Sequence, residues 1–349
     1  MNGETMLALV KESPEPGLTL KEVPIPHVGP GNVKIRILKT SICGTDLHIY
    51  NWDAWAQRTI KTPQIAGHEY VGEIAELGSG VTGYEVGEIV SGEGHIVCNT
   101  CRNCMAGRRH LCRNTVGVGV NRDGCFAEYL VIPAVNIVRV AEGIPLEVVS
   151  FCDALGNAVH TALKFDLTGE DVLITGAGPI GIMAAIVCRH CGAKKIAITN
   201  RGAYRRNLAK ECVPGIFAVN PQETSIPELM KEMNMTEGFD IGLEMSGNAG
   251  AFTDMVENMN TGGRIALLGI PGGETVINWN KVVFGMLTIQ GIYGREMFET
   301  WYKMMSMLQT GLDVSKVITH RLDAKDFVQG FEAMQSGNCG KVVLSWAEL

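Results

Sequence analysis

Apolar residues follow two rhythms along the chain. Up to about residue 155 they come in short runs, Thr5–Val10, Leu18–Val23 and Val33–Ile42, broken by Pro14, Pro16, Gly17, Pro24, Pro26, Gly29, Pro30 and Gly31. Short strands at close spacing with turn residues between them predict an all-β, barrel-like unit. From about 156 to 297 the runs alternate between strand and helix lengths. Strands are predicted at Asp171–Thr175, Lys195–Thr199, Ile216–Val219, Phe239–Met245, Arg264–Leu268 and Leu287–Gly291. Helices are predicted from the glycine turn at 176 through Cys191, and near Tyr204–Cys212, Ile226–Met233 and Phe252–Met259. Such alternation implies a parallel sheet with helices on both faces. The tail reads as amphipathic helices at Phe298–Leu308 and Asp326–Met334 and a strand at Lys341–Trp346, a return to the β-rich unit. The expected organisation is a β-rich domain of residues 1–155 and 298–349, with an α/β domain of 156–297 inserted into it. A cleft between two domains is a preferred place for a substrate and cofactor site.

Length agrees with this division, because 349 residues exceed one ordinary core. The formal charge of -7 and pI near 5.7 argue against nucleic acid and anionic membrane as partners, both of which call for basic faces. The longest apolar run, Pro179–Cys188, is too short to span a bilayer. No export signal is recognisable, so eleven cysteines point to metal binding or buried thiols in a reducing compartment. The expectation is a cytoplasmic protein acting on a small molecule.

The cysteine spacing carries the sharpest chemical signal. Cys98, Cys101, Cys104 and Cys112 are separated by two, two and seven residues, the pattern of a closed, structural zinc site. Three further islands surround it: Cys43-Gly44-Thr45-Asp46-Leu47-His48, Gly67-His68-Glu69, and Asp153 within Phe151-Cys152-Asp153-Ala154. A thiolate, an imidazole and a carboxylate from Glu69 or Asp153 suit a catalytic zinc that keeps one position open. An open position lets the metal lower the pKa of a substrate hydroxyl. The Thr45 hydroxyl could take that proton, and His48 titrates in the range needed to pass it on. His95, Arg295 and the Trp52–Trp55 neighbourhood are candidates for holding the charged groups of a substrate. Cys188 and Cys191, at helical spacing in an apolar helix, read as packed thiols.

In the second segment, Gly176-Ala177-Gly178-Pro179-Ile180-Gly181 follows a strand and opens a helix, the context that makes this glycine pattern a dinucleotide site. The acidic residue that binds the adenosine ribose belongs at the end of the next strand. Asn200 stands there, followed by Arg201, Arg205 and Arg206, which leaves NAD and NADP both open.

Taken together, these islands resemble the zinc-dependent medium-chain alcohol dehydrogenases along nearly the whole chain. The resemblance implies a GroES-like β-barrel catalytic domain joined to a Rossmann domain with a doubly wound parallel sheet. It implies two zinc ions per chain, one held by Cys43, His68 and Glu69 and one by the four clustered cysteines. Thr45 and His48 would form a proton relay, with Asp153 assisting. Gly176, Gly178, Ile180, Gly181, Asn200, Arg205, Leu268, Gly269, Ile270, Ile292 and Tyr293 would line the NAD(P) site. A homotetramer is implied as well. Longer strings, such as Ser91-Gly92-Glu93-Gly94-His95 and Gly291-Ile292-Tyr293-Gly294-Arg295, imply oxidation of the secondary hydroxyl of L-threonine. The alternatives are a polyol or another amino alcohol as substrate, or a catalytically silent nucleotide-binding protein. Two positions depart from the family pattern: Asn200 replaces an aspartate, and Ala154 replaces a proline after Asp153.

Overall fold

Strand Asn32–Ile42 is the spine of the first unit in the computed structural model, which describes residues 4–346. Its alternating Val33, Ile35 and Ile37 side chains are fully buried, packed with Leu9, Ile74, Phe126 and Leu130. Each such side chain contributes about 1.5–3 kcal/mol by leaving water. The spine pairs antiparallel with three strands, Tyr70–Leu77, Tyr129–Pro133 and Lys341–Ser345. Strands Ile89–Gly92, Ile137–Arg139 and Ile318–Asp323 complete this seven-stranded sheet. A three-stranded sheet, in the order Thr19–Pro24, Thr5–Lys11, Gln64–Ile65, forms the rest of its β-structure together with the short pair His95–Ile96 and Val116–Gly117.

Register is what makes this sheet matter. Thr40 lies opposite Tyr70, Val342 lies opposite Ile42, and Ser41 N–H donates to the Glu69 carbonyl at 3.1 Å. Because the neighbours run antiparallel to the spine, its exit and their entries fall at one edge. Cys43, the His68-Glu69 pair and Lys341 arrive there from distant parts of the sequence.

The second unit is built on six parallel strands, and its order fits the doubly wound sheet expected from the pattern. Numbering them along the chain, the spatial order is third, second, first, fourth, fifth, sixth: Phe217–Val219, Lys195–Thr199, Asp171–Thr175, Phe239–Glu244, Met259–Leu267, Thr288–Gly291. The central strand Asp171–Thr175 is buried along its whole length, as a strand covered on both faces must be. The chain reverses direction across the sheet between the first and fourth strands, so ligand-binding loops belong at their carboxyl ends.

By contact, the described residues fall into two units, 4–154 with 296–309 and 318–346, and 155–295 with 310–317. Among them, no helix is long and apolar enough to cross a membrane. Several elements escape the periodicity argument, among them strands Tyr70–Leu77, Tyr129–Pro133 and Ile318–Asp323 and helices Gly44–Asn51, Cys152–Ala162 and Trp279–Phe284. Gly44–Asn51 and Trp279–Phe284 are too short to display an apolar stripe. Ile318–Asp323 is buried only at its first residue, so it lacks a strand's apolar signal.

Candidate functional site

Cys43 sits at the end of the spine, as the N-terminal cap of helix Gly44–Asn51. Its backbone N–H donates to Asp46 Oδ2 at 2.9 Å, so Asp46 closes the first turn and fixes the thiol's exit direction. His68 and Glu69 enter from the adjacent strand. Gly67 precedes them with φ +90, and a β-carbon there would fall 2.3 Å from the Phe126 ring, so only glycine can make this corner. One ligand atom each from Cys43, His68 and Glu69 lies within 4.8 Å of the others. Asp153 is not part of that cluster; it is buried at the start of helix Cys152–Ala162, close enough that a β-carbon on Gly94 would be 3.6 Å from its Oδ1.

The polar atoms around the cluster test whether it suits a cation. Glu69 is fully buried, and its Oε1 has no hydrogen-bond partner. His68 Nδ1 lies 3.5 Å from Asp46 Oδ1, and neither atom makes a hydrogen bond. An orphaned buried polar atom costs about 1–3 kcal/mol, so the free carboxylate oxygen of Glu69 calls for a missing charge. A zinc ion on Cys43, His68 and Glu69 meets that need, with Asp46 behind the histidine to orient the ring. Burial opposes a charge on His68, yet Asp46 outweighs it and holds the imidazole well above its ordinary range. Metal coordination requires the opposite, a neutral ring, and so releases that proton.

Lys341 completes the cluster, and nothing in the sequence pattern singles it out. Its ammonium donates to Glu69 Oε2 at 2.6 Å and to the Ile42 carbonyl at 3.1 Å, and the residue is 3% exposed. Burial works against that charge, but Glu69 and Cys43 hold it above its usual value. One oxygen of Glu69 is therefore committed to Lys341 and the other left for a metal.

Thr45 and His48 follow on one face of the same helix, three residues apart. Thr45 is half-buried, while His48 is exposed and bonded through Nδ1 to Asp53. Asp53 also caps helix Ala54–Thr59 through Trp55 and Ala56 N–H groups, both at 3.0 Å. The helix thus carries a half-buried hydroxyl and, one turn on, an exposed imidazole whose orientation is fixed by Asp53.

The four clustered cysteines are equally well arranged. Sγ atoms of Cys98 and Cys112 are 3.5 Å apart, and those of Cys101 and Cys104 are 3.6 Å apart. That is far too long for a disulfide and close to the roughly 3.8 Å edge of a tetrahedron with 2.3 Å zinc–sulfur bonds. Backbone N–H groups of Cys98, Cys101 and Asn114 point at the sulfurs, at 3.3–3.4 Å. Such donors, led by Thr100, hold the Cys98 thiol down to about 5, whereas burial pushes Cys104 up to about 12.

In the second unit, the predicted cofactor residues all lie at the carboxyl edge of the parallel sheet. Gly176, Asn200, Leu268 and Ile292 each follow directly on a strand. A β-carbon on Gly181 would come 1.9 Å from the Gly176 carbonyl, so this glycine permits helix Pro179–His190 to pack on its own loop. Gly178 is different: its φ of -69 suits any residue, and nothing lies within 4 Å of its missing β-carbon. The protein itself has no use for glycine there, but a pyrophosphate seated on the helix N-terminus would. Gly178→Val should therefore leave the melting temperature of the nucleotide-free protein within about 2 °C and weaken dinucleotide binding by at least about tenfold. Titration calorimetry checks this, and unchanged affinity would remove the pyrophosphate from that position.

Sequence reasoning passes over the fourth strand's end. Glu244 is fully buried there without a cation among the described residues, and accepts hydrogen bonds from Thr175 Oγ1 at 3.2 Å, Ser246 N at 2.9 Å and Gly247 N at 3.1 Å. Its carbonyl accepts from Leu268 and Gly269 N–H, both at 3.0 Å. Glu244 thus ties three strand ends together beneath the glycine loop. A carboxylate closing an apolar strand just before Ser246-Gly247 is the available signal. Of the substrate-group candidates, Arg295 is buried and bonded to Asn157 Oδ1 at 3.0 Å, and the His95 N–H donates to Glu93.

Comparison with known proteins places this geometry. Residues 29–142 match the alcohol dehydrogenase GroES-like domain, and residues 179–310 match the zinc-binding dehydrogenase domain. An L-threonine 3-dehydrogenase of Shewanella loihica is 59% identical over 98% of this chain and all of its own length. Its counterpart from Rhizobium rhizogenes is 60% identical over 98% of this chain and 99% of its own. An alcohol dehydrogenase from Escherichia coli, crystallised with NADH, superposes with a TM-score of 0.89 at 26% identity, covering 99% of this chain and 100% of that one. A zinc-binding dehydrogenase from Sinorhizobium meliloti bound to NADP gives 0.87 at 26% identity, over 98% and 99%.

Proposed function

The chain belongs to the zinc-binding alcohol dehydrogenases of the medium-chain type, and on that premise we propose that it oxidises the secondary hydroxyl of L-threonine to the ketone of 2-amino-3-oxobutanoate. The observation that carries the chemistry is the Cys43–His68–Glu69 cluster, with Lys341 and Asp46 behind it. The substrate rests on relatives 59–60% identical over 98% of the chain.

Cys43, His68 and Glu69 would hold a zinc ion that would supply Lewis-acid polarisation of the alcohol, and the glycine turn at 176–181 would hold a nicotinamide dinucleotide that would supply the hydride acceptor. The chain's own residues do the rest. Thr45 takes the hydroxyl proton and returns its own to His48, which delivers it to solvent while Asp53 steadies the ring. Asp153 stands by as a buried carboxylate near Gly94, assisting beside the cluster. Gly176, Gly178 and Gly181 shape the turn that would receive a pyrophosphate, while Leu268 to Ile270 and Ile292–Tyr293 would border the nicotinamide end. Reduction of NAD(P) should proceed with L-threonine at a kcat/KM at least about a hundredfold above that with sorbitol; a faster rate with sorbitol overturns the substrate.

The association we propose is a homotetramer. Ile270, Val276, Trp279, Val283, Phe284 and Met286 are 66–86% exposed, and strand Thr288–Gly291 ends its sheet with one side unpaired among the described residues. An unpaired sheet edge and exposed apolar side chains are surfaces that call for cover. Light scattering should give about four times the 37.7 kDa chain mass; a monomer would refute it.

A further inference from the structure

The corner after strand Lys195–Thr199 decides which dinucleotide a fold of this kind accepts, because the adenosine ribose is read there. An NAD-selective site places a carboxylate at this point. It accepts hydrogen bonds from the ribose hydroxyls and repels a 2′-phosphate. No acidic residue occurs in this sequence between Asp171 and Glu211. Asn200 holds the position, and its Oδ1 accepts the Gly202 N–H at 2.9 Å, so the amide oxygen is turned into its own loop. Nothing here repels a phosphate.

What surrounds Asn200 is cationic. Arg201, Arg205 and Arg206 fall within six residues, in a chain whose net charge is -7. They are not equivalent. Arg206 donates to the Asn200 carbonyl at 2.8 Å and to the Arg201 carbonyl, and so staples the turn. Arg201 is exposed, and its side chain makes no hydrogen bond or ion pair among the described residues. Arg205, in the first turn of helix Ala203–Cys212, has a buried Nε without a hydrogen-bond partner. A guanidinium left unsatisfied beside a neutral turn is suited to a phosphate oxygen, which it can grip with more than one N–H. Glu223, on the loop after the neighbouring strand, is bonded to the Asn220 amide at 2.8 Å.

We propose that this chain takes the 2′-phosphorylated dinucleotide, NADP, in preference to NAD, with Arg201 and Arg205 holding the 2′-phosphate and Asn200 supplying the neutral turn beneath it. The inference rests on the dehydrogenase reading above and narrows its cofactor. Arg201 and Arg205 are specificity residues, because they touch the part of the nucleotide in which the two cofactors differ.

The test is binding rather than turnover. Calorimetric titration of the zinc-loaded protein with 2′,5′-ADP and 5′-ADP isolates the ribose corner from the nicotinamide end, and NADP+ and NAD+ follow. The expected result is at least tenfold tighter binding of 2′,5′-ADP and of NADP+. Asn200→Asp should reverse that order, and Arg201→Ala, whose side chain supports no fold contact, should cost NADP+ at least tenfold and NAD+ much less. Equal or tighter binding of NAD+ by the unaltered protein overturns the cofactor assignment and leaves the dehydrogenase standing. Failure to bind any of the four nucleotides overturns both.

Discussion

Replacing Cys43 with serine should lower turnover with L-threonine by at least about a thousandfold and take bound zinc from two ions per chain to one. The magnitude follows from what the metal contributes. Polarising an alcohol at neutral pH accounts for several kcal/mol of barrier, and each 1.4 kcal/mol is tenfold in rate. A serine hydroxyl keeps the shape of the side chain but is a far weaker zinc ligand than a thiolate. His68 and Glu69 alone leave a two-coordinate ion that solvent would strip. The fold should survive, because Lys341 still pairs with Glu69 at 2.6 Å and Asp46 still caps the helix at 2.9 Å. The expected signature is therefore one lost zinc with a melting temperature lowered by only about 2–4 °C. Metal analysis and calorimetry read the two quantities separately. Retention of full turnover by Cys43→Ser would sink the catalytic assignment, whatever happened to the metal count.

Much of this site is legible in the amino-acid sequence, for a definite reason. The cysteine spacing and the glycine loop are local: their meaning is contained in fifteen and six consecutive residues, respectively. The same holds for strands Asp171–Thr175 and Lys195–Thr199, whose predicted and observed limits coincide. Lys341 is hidden because its role is set by sheet register. It reaches Glu69 across 272 positions of sequence, through a pairing that no periodicity encodes. Glu244 is hidden differently. A single carboxylate after an apolar run looks like a strand terminus, and only burial with four N–H or O–H donors makes it a clasp. Ile318–Asp323 shows the limit of pattern reading from the other side, since a strand with one buried residue gives no alternation to detect.

The four-cysteine lobe makes the opposite experiment to Cys43. From residue 95 to 117, Cys104 is the only buried residue, so this segment has no apolar core of its own. Its order rests on a short helix at Arg102–Met105, one turn at Arg109–Leu111, and the sulfur cluster. A structural zinc site is worth about 10–16 kcal/mol in free peptides, enough to fold such a loop outright. Cys104→Ala should release that zinc and leave the other, because the Cys43 cluster is held by separate strands. The lobe would then open locally rather than unfold the domain beneath it. Arg102, Arg108, Arg109 and Arg113 become trypsin sites, and cleavage there should accelerate by at least about a hundredfold, matching a loss of roughly 3 kcal/mol or more in local stability. Mass spectrometry of the nicked fragments locates the cuts, and metal analysis counts the ions. If Cys104→Ala kept both zinc ions and resisted trypsin like the parent, the lobe would owe its fold to packing. With one buried residue in that stretch, there is no packing to supply it.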